Sequence, residues 1–260
     1  MAGNEIDHKF GDLLARAEAQ VWLVRLETVR QNWPDWESAL TPEETAKASR
    51  FLQPADRFRS AASRAVLRRL LSHYLDLPPA EFQFVCNRFG KPALAGSDQA
   101  SRLNFSVSHS HEYALLGFSA GRPIGVDIEW VRANPPFHEL AVGICAAAEI
   151  RMLESLPDGQ RLPALYQCWT LKESYLKTLG VGLSHPPQRV RVAWQDRFDG
   201  SSPPKYLLHV RGKWTAVVID APPGYAASVV TAGRTSVLVW RDMDWRLPCR
   251  INPRIQRSRD

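Results

Sequence analysis

No part of this chain approaches the roughly 18 consecutive apolar residues that a membrane-spanning helix requires. The opening residues, with Glu5, Asp7 and His8, lack the apolar core of a secretory signal. Both absences predict a cytoplasmic protein without membrane association. Cysteine is sparse: Cys86, Cys145, Cys168 and Cys249 are scattered without a C-x-x-C pair, which argues against a zinc site or a disulfide framework and for reduced, mostly buried thiols. There is no glycine-rich phosphate loop and no dinucleotide fingerprint. A helix-turn-helix with a readable recognition face, an aromatic RNA-binding motif and a zinc finger are missing too.

What is there is a chain of 260 residues, 45% hydrophobic and 23% charged, the balance of a globular protein built as one large domain or two small ones. Lys and Arg (33) outnumber Asp and Glu (27), for a net charge of +6. That excess favours an anionic partner: nucleic acid, a phosphorylated small molecule or an acidic protein.

The hydrophobic pattern predicts two similar halves. Residues 1–20 have a faint helical pattern, and Val21–Glu27 alternates like a strand. Thr41-Pro42-Glu43-Glu44 is a capping box with proline at the first helical position, starting a helix that should end near Leu52. A longer helix from Ala55 to about Asp76 carries five arginines and stops at Pro78-Pro79. The period then changes to two, with strands at Phe82–Val85, Leu103–Val107, Tyr113–Ser119 and Ile124–Val131. One helix over 137–155 and another from Leu162 to Leu179, closed by Gly180, follow, and then short antiparallel strands. The expectation is α+β: two pseudo-symmetric lobes, residues 1–120 and 121–245, each with helices on a mainly antiparallel sheet, and a basic tail over 246–260.

Four places break the local pattern, and such places are where function tends to show. In Gly125-Val126-Asp127-Ile128-Glu129, residues two apart share a strand face, so Asp127 and Glu129 point the same way. A hard cation such as Mg2+ between them would relieve the repulsion; an exposed edge with an acidic outer face is the alternative. In the helix through Trp169 and Lys177, Lys172 falls within the apolar arc, where it either snorkels to water or serves a site. Glu173 and Lys177, one turn apart, are either an ordinary surface pair or Glu173 is a third carboxylate beside Asp127 and Glu129. Arg59 projects roughly 200° away from Arg57, into the apolar sector of its helix, as an internal ion pair or an arm for a phosphate. Asn104-Phe105-Ser106-Val107-Ser108-His109-Ser110-His111 is either a polar turn or a set of phosphate donors, with too few ligands for zinc.

Taken together, Gly125-Val126-Asp127-Ile128-Glu129 and the downstream Trp169-Thr170-Leu171-Lys172-Glu173-Ser174-Tyr175-Leu176-Lys177 resemble the paired signature of 4'-phosphopantetheinyl transferases of the surfactin-synthetase-activating type. Phe89-Gly90-Lys91-Pro92, Asn104 to His109 and the arginine helix from Asp56 to Arg68 resemble this family's upstream motifs, in the same order. The likeness runs over about residues 41–230. It implies a monomer whose two lobes hold coenzyme A in the cleft between them. It further implies that Asp127, Glu129 and Glu173 bind Mg2+ (or Mn2+), and that Arg59, Lys91, Ser108 and His109 contact coenzyme A phosphates. Lys177 is implied near the pyrophosphate, Lys47 near the 3'-phosphate, Lys172 among the coenzyme-binding residues and Trp169 as a wall of the site. Glu44 is a departure, standing where such enzymes can show a basic residue; its capping role accounts for it.

The reaction implied is transfer of phosphopantetheine from coenzyme A to a serine of an apo acyl, polyketide or peptidyl carrier protein, with release of adenosine 3',5'-bisphosphate. Asp127, Glu173 and Lys177 are the implied catalytic residues, with Glu173 in reach of the serine proton, directly or through a water. Acidic carrier proteins then explain the basic balance without nucleic acid, and docking is expected near the helix over 137–155. The competing reading is a non-catalytic module that binds coenzyme A or a carrier protein; a nucleic-acid-binding protein would leave the aligned Asp127 and Glu129 without purpose.

Overall fold

The computed structural model describes residues 18–96, 102–133, 135–194, 206–210, 212–241 and 253–254. The described residues open with strand β1 (Glu18–Arg25), whose side chains from Ala19 to Val24 are all buried. A strand with two apolar faces needs cover on both sides, and β1 has it. Trp22 and Val24 join a core with helix α4 (Pro54–Leu75), while Ala19, Val21 and Leu23 join a second core against another sheet.

The first sheet runs β12-β11-β1-β5-β4, with β4 (Leu103–Ser110), β5 (Tyr113–Ala120), β11 (Ser236–Arg241) and the short β12 (Pro253–Arg254). The second is antiparallel, β6-β10-β9: β6 (Ile124–Trp130), β9 (Trp214–Ile219) and β10 (Tyr225–Ala232). Short hairpins pair β2 (Phe84–Cys86) with β3 (Pro92–Leu94) and β7 (Arg191–Trp194) with β8 (Tyr206–His209). The two larger sheets are layered, with α4 outside the first and helix α7 (Asp158–Leu179) outside the second, so the expected mixed α+β architecture is present. The division of the chain is less simple than two consecutive halves, because β11 lies beside β1 in parallel and its Val237 and Val239 fill the core between the sheets. Of the expected basic tail at 246–260, all but the strand β12 lies outside the described residues, as do the start of the faint helical pattern at 1–17 and Cys249.

The local expectations fare unevenly, for physical reasons. The capping box is formed: Glu44 N–H donates to Thr41 Oγ1 and Thr41 N–H to Glu44 Oε2, opening α3 (Pro42–Ser49). The same Glu44 carboxylate receives both Nε (2.7 Å) and Nη2 (3.0 Å) of the buried Arg68, so it also ties α3 to α4. The expected strand through Glu27 turns instead at Leu26 into a helical turn, α1 (Leu26–Arg30), which precedes another, α2 (Trp33–Glu37).

The single helix expected over 137–155 is two, α5 (Phe137–Ile144) and α6 (Ala147–Glu154), broken at Cys145 and Ala146, whose backbones are extended. A buried ion pair holds the break. Lys172 Nζ donates to Glu149 Oε2 (2.6 Å), to the α5 carbonyl of Ile144 (3.1 Å) and to Pro187 O (3.2 Å), while Glu149 accepts from Ala146 N and Val192 N.

Candidate active site

The site lies where β4, β6 and α7 converge. β6 and α7 approach so closely that a Cβ on Gly125 would stand 2.0 Å from Ser174 O and 2.6 Å from Thr178 N. Only glycine permits that backbone contact, and two residues further along β6 it brings Asp127 under the last turns of α7. Asp127 is 2% exposed and Glu173 8%. Asp127 Oδ1 receives Lys177 Nζ and Ser108 Oγ, each at 2.7 Å. Glu129 Oε2 accepts from Ser110 Oγ at 2.8 Å.

Three carboxylates in one place are electrostatically costly, and the titration behaviour records it. Burial first, then the charges of Asp127 and Glu129, pushes Glu173 up to about 6 against the pull of Lys177. Burial and Asp127 likewise raise Glu129, with hydrogen bonds from Ser110 and Trp169 and the charge of Lys177 opposing. Asp127 Oδ2 and Glu173 Oε1 are buried and accept no hydrogen bond. A buried carboxylate oxygen without a partner is expensive, and hard oxygen donors of this kind suit Mg2+ or Mn2+; the residues fit such a cation.

Among the described residues, one group of His, Cys, Asp and Glu has its ligand atoms all within 4.8 Å, and it is a different one: Cys145, Glu149 and Cys168. The Lys172 ammonium already sits on that Glu149, which makes the group a structural ion pair beside two thiols. The oxygens of Asp127, Glu129 and Glu173 are spaced more widely.

Beside the carboxylates is a cationic patch. His109 is exposed as a residue, yet desolvation against the site wall, with Lys177 and then Arg59 close by, holds its pKa below the usual histidine value. Arg59 is half-buried and pairs with Asp56 one turn earlier. Lys177 also lines a cavity of about 230 Å3, with Phe89, Lys91, Pro92, Phe105 and Gly180. The loop between β2 and β3 closes one side: Asn87 Nδ2 donates to Gly180 O at 2.8 Å, and Asn87 Oδ1 accepts from Phe89 N and Lys91 N.

The structure thus brings Asp127, Glu129, Glu173, Lys177 and Ser108 together and sets Arg59 and His109 beside them. Lys91 reaches the same seam, but its Nζ donates to Lys177 O (2.6 Å), Ile124 O (3.1 Å) and Thr178 O (3.4 Å), and burial pushes it down to about 8. A phosphate at Lys91 has to displace those carbonyls. The surface pair between Glu173 and Lys177 is not formed, since Lys177 turns to Asp127 instead. Lys172 corrects the expectation of a coenzyme contact: it is fully buried, and its three protons go to Glu149, Ile144 O and Pro187 O. Lys47 stands exposed in the last turn of α3, and no hydrogen bond or ion pair among the described residues joins it to the others. Ser110 was legible only as part of a polar cluster; the signal for its role is the period-two serines at 106, 108 and 110 facing the period-two carboxylates of β6.

Comparison with known proteins places this geometry. Residues 123–230 match the family model of the 4'-phosphopantetheinyl transferase superfamily, and residues 26–120 match that of the 4'-phosphopantetheinyl transferase N-terminal region. The chain is 35% identical over 216 residues to the 4'-phosphopantetheinyl transferase HetI of Nostoc, covering 83% of this chain and 88% of that one. It is 29% identical to the 4'-phosphopantetheinyl transferase Sfp of Bacillus subtilis, over 57% of this chain and 64% of that one. It is 28% identical to the human L-aminoadipate-semialdehyde dehydrogenase-phosphopantetheinyl transferase, over 62% and 55% of the two chains. With a relative matched along nearly its whole length and both parts of the site inside the matched regions, this chain belongs to the 4'-phosphopantetheinyl transferase superfamily.

Proposed function

We propose that this protein, as an enzyme of the surfactin-synthetase-activating type, moves the 4'-phosphopantetheine group of coenzyme A onto a serine hydroxyl of an apo carrier protein and releases adenosine 3',5'-bisphosphate. The observation that carries the reading is the pair of buried, unpartnered oxygens, Asp127 Oδ2 and Glu173 Oε1, beside the cations Lys177 and Arg59 and the imidazole of His109. Acid groups that repel one another need a cation, and the adjoining positive patch needs an anion.

Asp127, Glu129 and Glu173 would hold Mg2+ or Mn2+, which supplies charge neutralisation at the pyrophosphate when bound. Lys177, which reaches Asp127 across the seam, places a second positive charge at the same oxygens. Arg59 and His109 bind the phosphate of the adenosine end, whose ring the cavity beside Lys91 and Phe105 receives. Held at both ends, the β-phosphate can lie in line with the incoming serine. Glu173 is in reach of the serine proton, and because a carboxylate that holds a cation is a weak base, a water between it and the serine hydroxyl is the favoured route for that proton.

The test is intact mass spectrometry of an apo acyl carrier protein and an apo peptidyl carrier protein, each incubated with this protein, coenzyme A and Mg2+, with a chelator control. A Mg2+-dependent gain of one phosphopantetheinyl group on either carrier is the expected result. Coenzyme A binding without transfer to either carrier would favour the binding-module reading instead.

A further inference from the structure

β4 and β6 are edge strands of different sheets, yet they are joined through serine hydroxyls. Residues two apart on a strand share a face, so Ser106, Ser108 and Ser110 all turn toward β6. Ser106 Oγ accepts from Val126 N at 3.1 Å, Ser108 Oγ donates to Asp127 Oδ1 and Ser110 Oγ donates to Glu129 Oε2. Ser110 makes one contact more: its Oγ accepts from Trp130 N at 3.0 Å. A hydroxyl has one proton and two lone pairs. At Ser110 the Trp130 amide engages the lone-pair side, and the proton is directed to the Glu129 carboxylate.

Resting on the cation reading above, we propose that Ser110 is a positioning residue that holds Glu129 in the orientation from which it ligates the divalent cation. Glu129 sits near the end of β6, next to Trp130, which is 39% exposed. A glutamate there has several rotatable bonds to lose. Without Ser110, the arriving cation has to order that side chain itself, and the affinity falls accordingly. Hydrogen-bond partners standing behind metal ligands commonly govern affinity by 10–100-fold. Trp169 also favours the charged form of Glu129, so the serine shares the task, and a loss near the lower end, roughly tenfold, is expected.

The experiment titrates Mn2+ into the full-length chain and follows free Mn2+ by electron paramagnetic resonance, for wild type, Ser110→Ala and Ser110→Thr, with melting of each protein after chelation as a check on the fold. The proposal expects roughly tenfold weaker Mn2+ binding in Ser110→Ala, near wild-type binding in Ser110→Thr, which keeps the hydroxyl, and similar melting of all three. Wild-type affinity in Ser110→Ala, or equal weakening in both variants, overturns it. If the wild-type chain itself binds no Mn2+, the cation reading fails, and the role of Ser110 fails with it.

Discussion

Lys177 Nζ lies 2.7 Å from Asp127 Oδ1, joining the last turn of α7 to the middle of β6 across 50 residues of sequence. The pair answers half of the charge problem at the site. It neutralises one oxygen of Asp127 and leaves the other, with Glu173 Oε1, buried and without a hydrogen bond.

Removing the Glu173 charge should stabilise the chelated protein. Its folded pKa, about 6, is above the ordinary 4.5. Between those values the folded chain keeps a proton that the unfolded chain has released, so stability falls as pH rises from 4.5 to 6 and stays reduced above. The penalty is on the order of 2 kcal/mol at most. Glu173→Gln, unfolded by denaturant in the presence of chelator, should therefore be more stable than wild type at pH 7.5 and no more stable at pH 4.5, while losing transfer activity. A variant less stable than wild type at pH 7.5 would contradict this.

Gly125→Ala should damage both fold and activity. The new Cβ meets backbone, Ser174 O at 2.0 Å, and backbone cannot rotate out of the way. A cost of about 3 kcal/mol is expected from forcing β6 off α7, with transfer activity falling as Asp127 moves from Lys177. Denaturation and the transfer assay measure both; a change below about 0.5 kcal/mol, the ordinary scatter of surface substitutions, would show that the contact is not rigid.

Lys172→Met should destabilise by about 3–5 kcal/mol, the range for removing one partner of a buried ion pair, because Glu149 is left buried with only its backbone donors. Coenzyme A affinity of the folded protein, measured by calorimetry at low temperature, should stay near wild type. A selective loss of coenzyme A affinity with unchanged stability would restore Lys172 to the coenzyme site.

Carrier docking is expected on α5 and α6, where Val142 is 51% and Met152 36% exposed. Val142→Ala with Met152→Ala should raise the apparent KM for carrier protein and leave that for coenzyme A unchanged. Equal effects on both would remove these helices from the docking surface.

Much of this is legible in the amino-acid sequence. Thr41 and Glu44 announced the start of α3, the strand period aligned Asp127 with Glu129, and Gly180 marked the end of α7. The break between α5 and α6 was hidden because its cause, the Lys172–Glu149 pair, is a contact 23 residues long. The return of β11 to the side of β1 was hidden for the same reason: pairing between distant strands leaves no local period. Lys172 in the apolar arc was visible as an anomaly, but only the location of Glu149 decides between a buried pair and a ligand contact.

The most direct measurement is calorimetric titration of coenzyme A into wild type and Asp127→Asn, each with Mg2+ and with chelator. If Asp127, Glu129 and Glu173 hold the cation against the pyrophosphate, Mg2+ strengthens binding to wild type at least severalfold and does nothing for the variant. An equal gain in both proteins would mean that the cation binds elsewhere, and the assignment of these three carboxylates would be wrong.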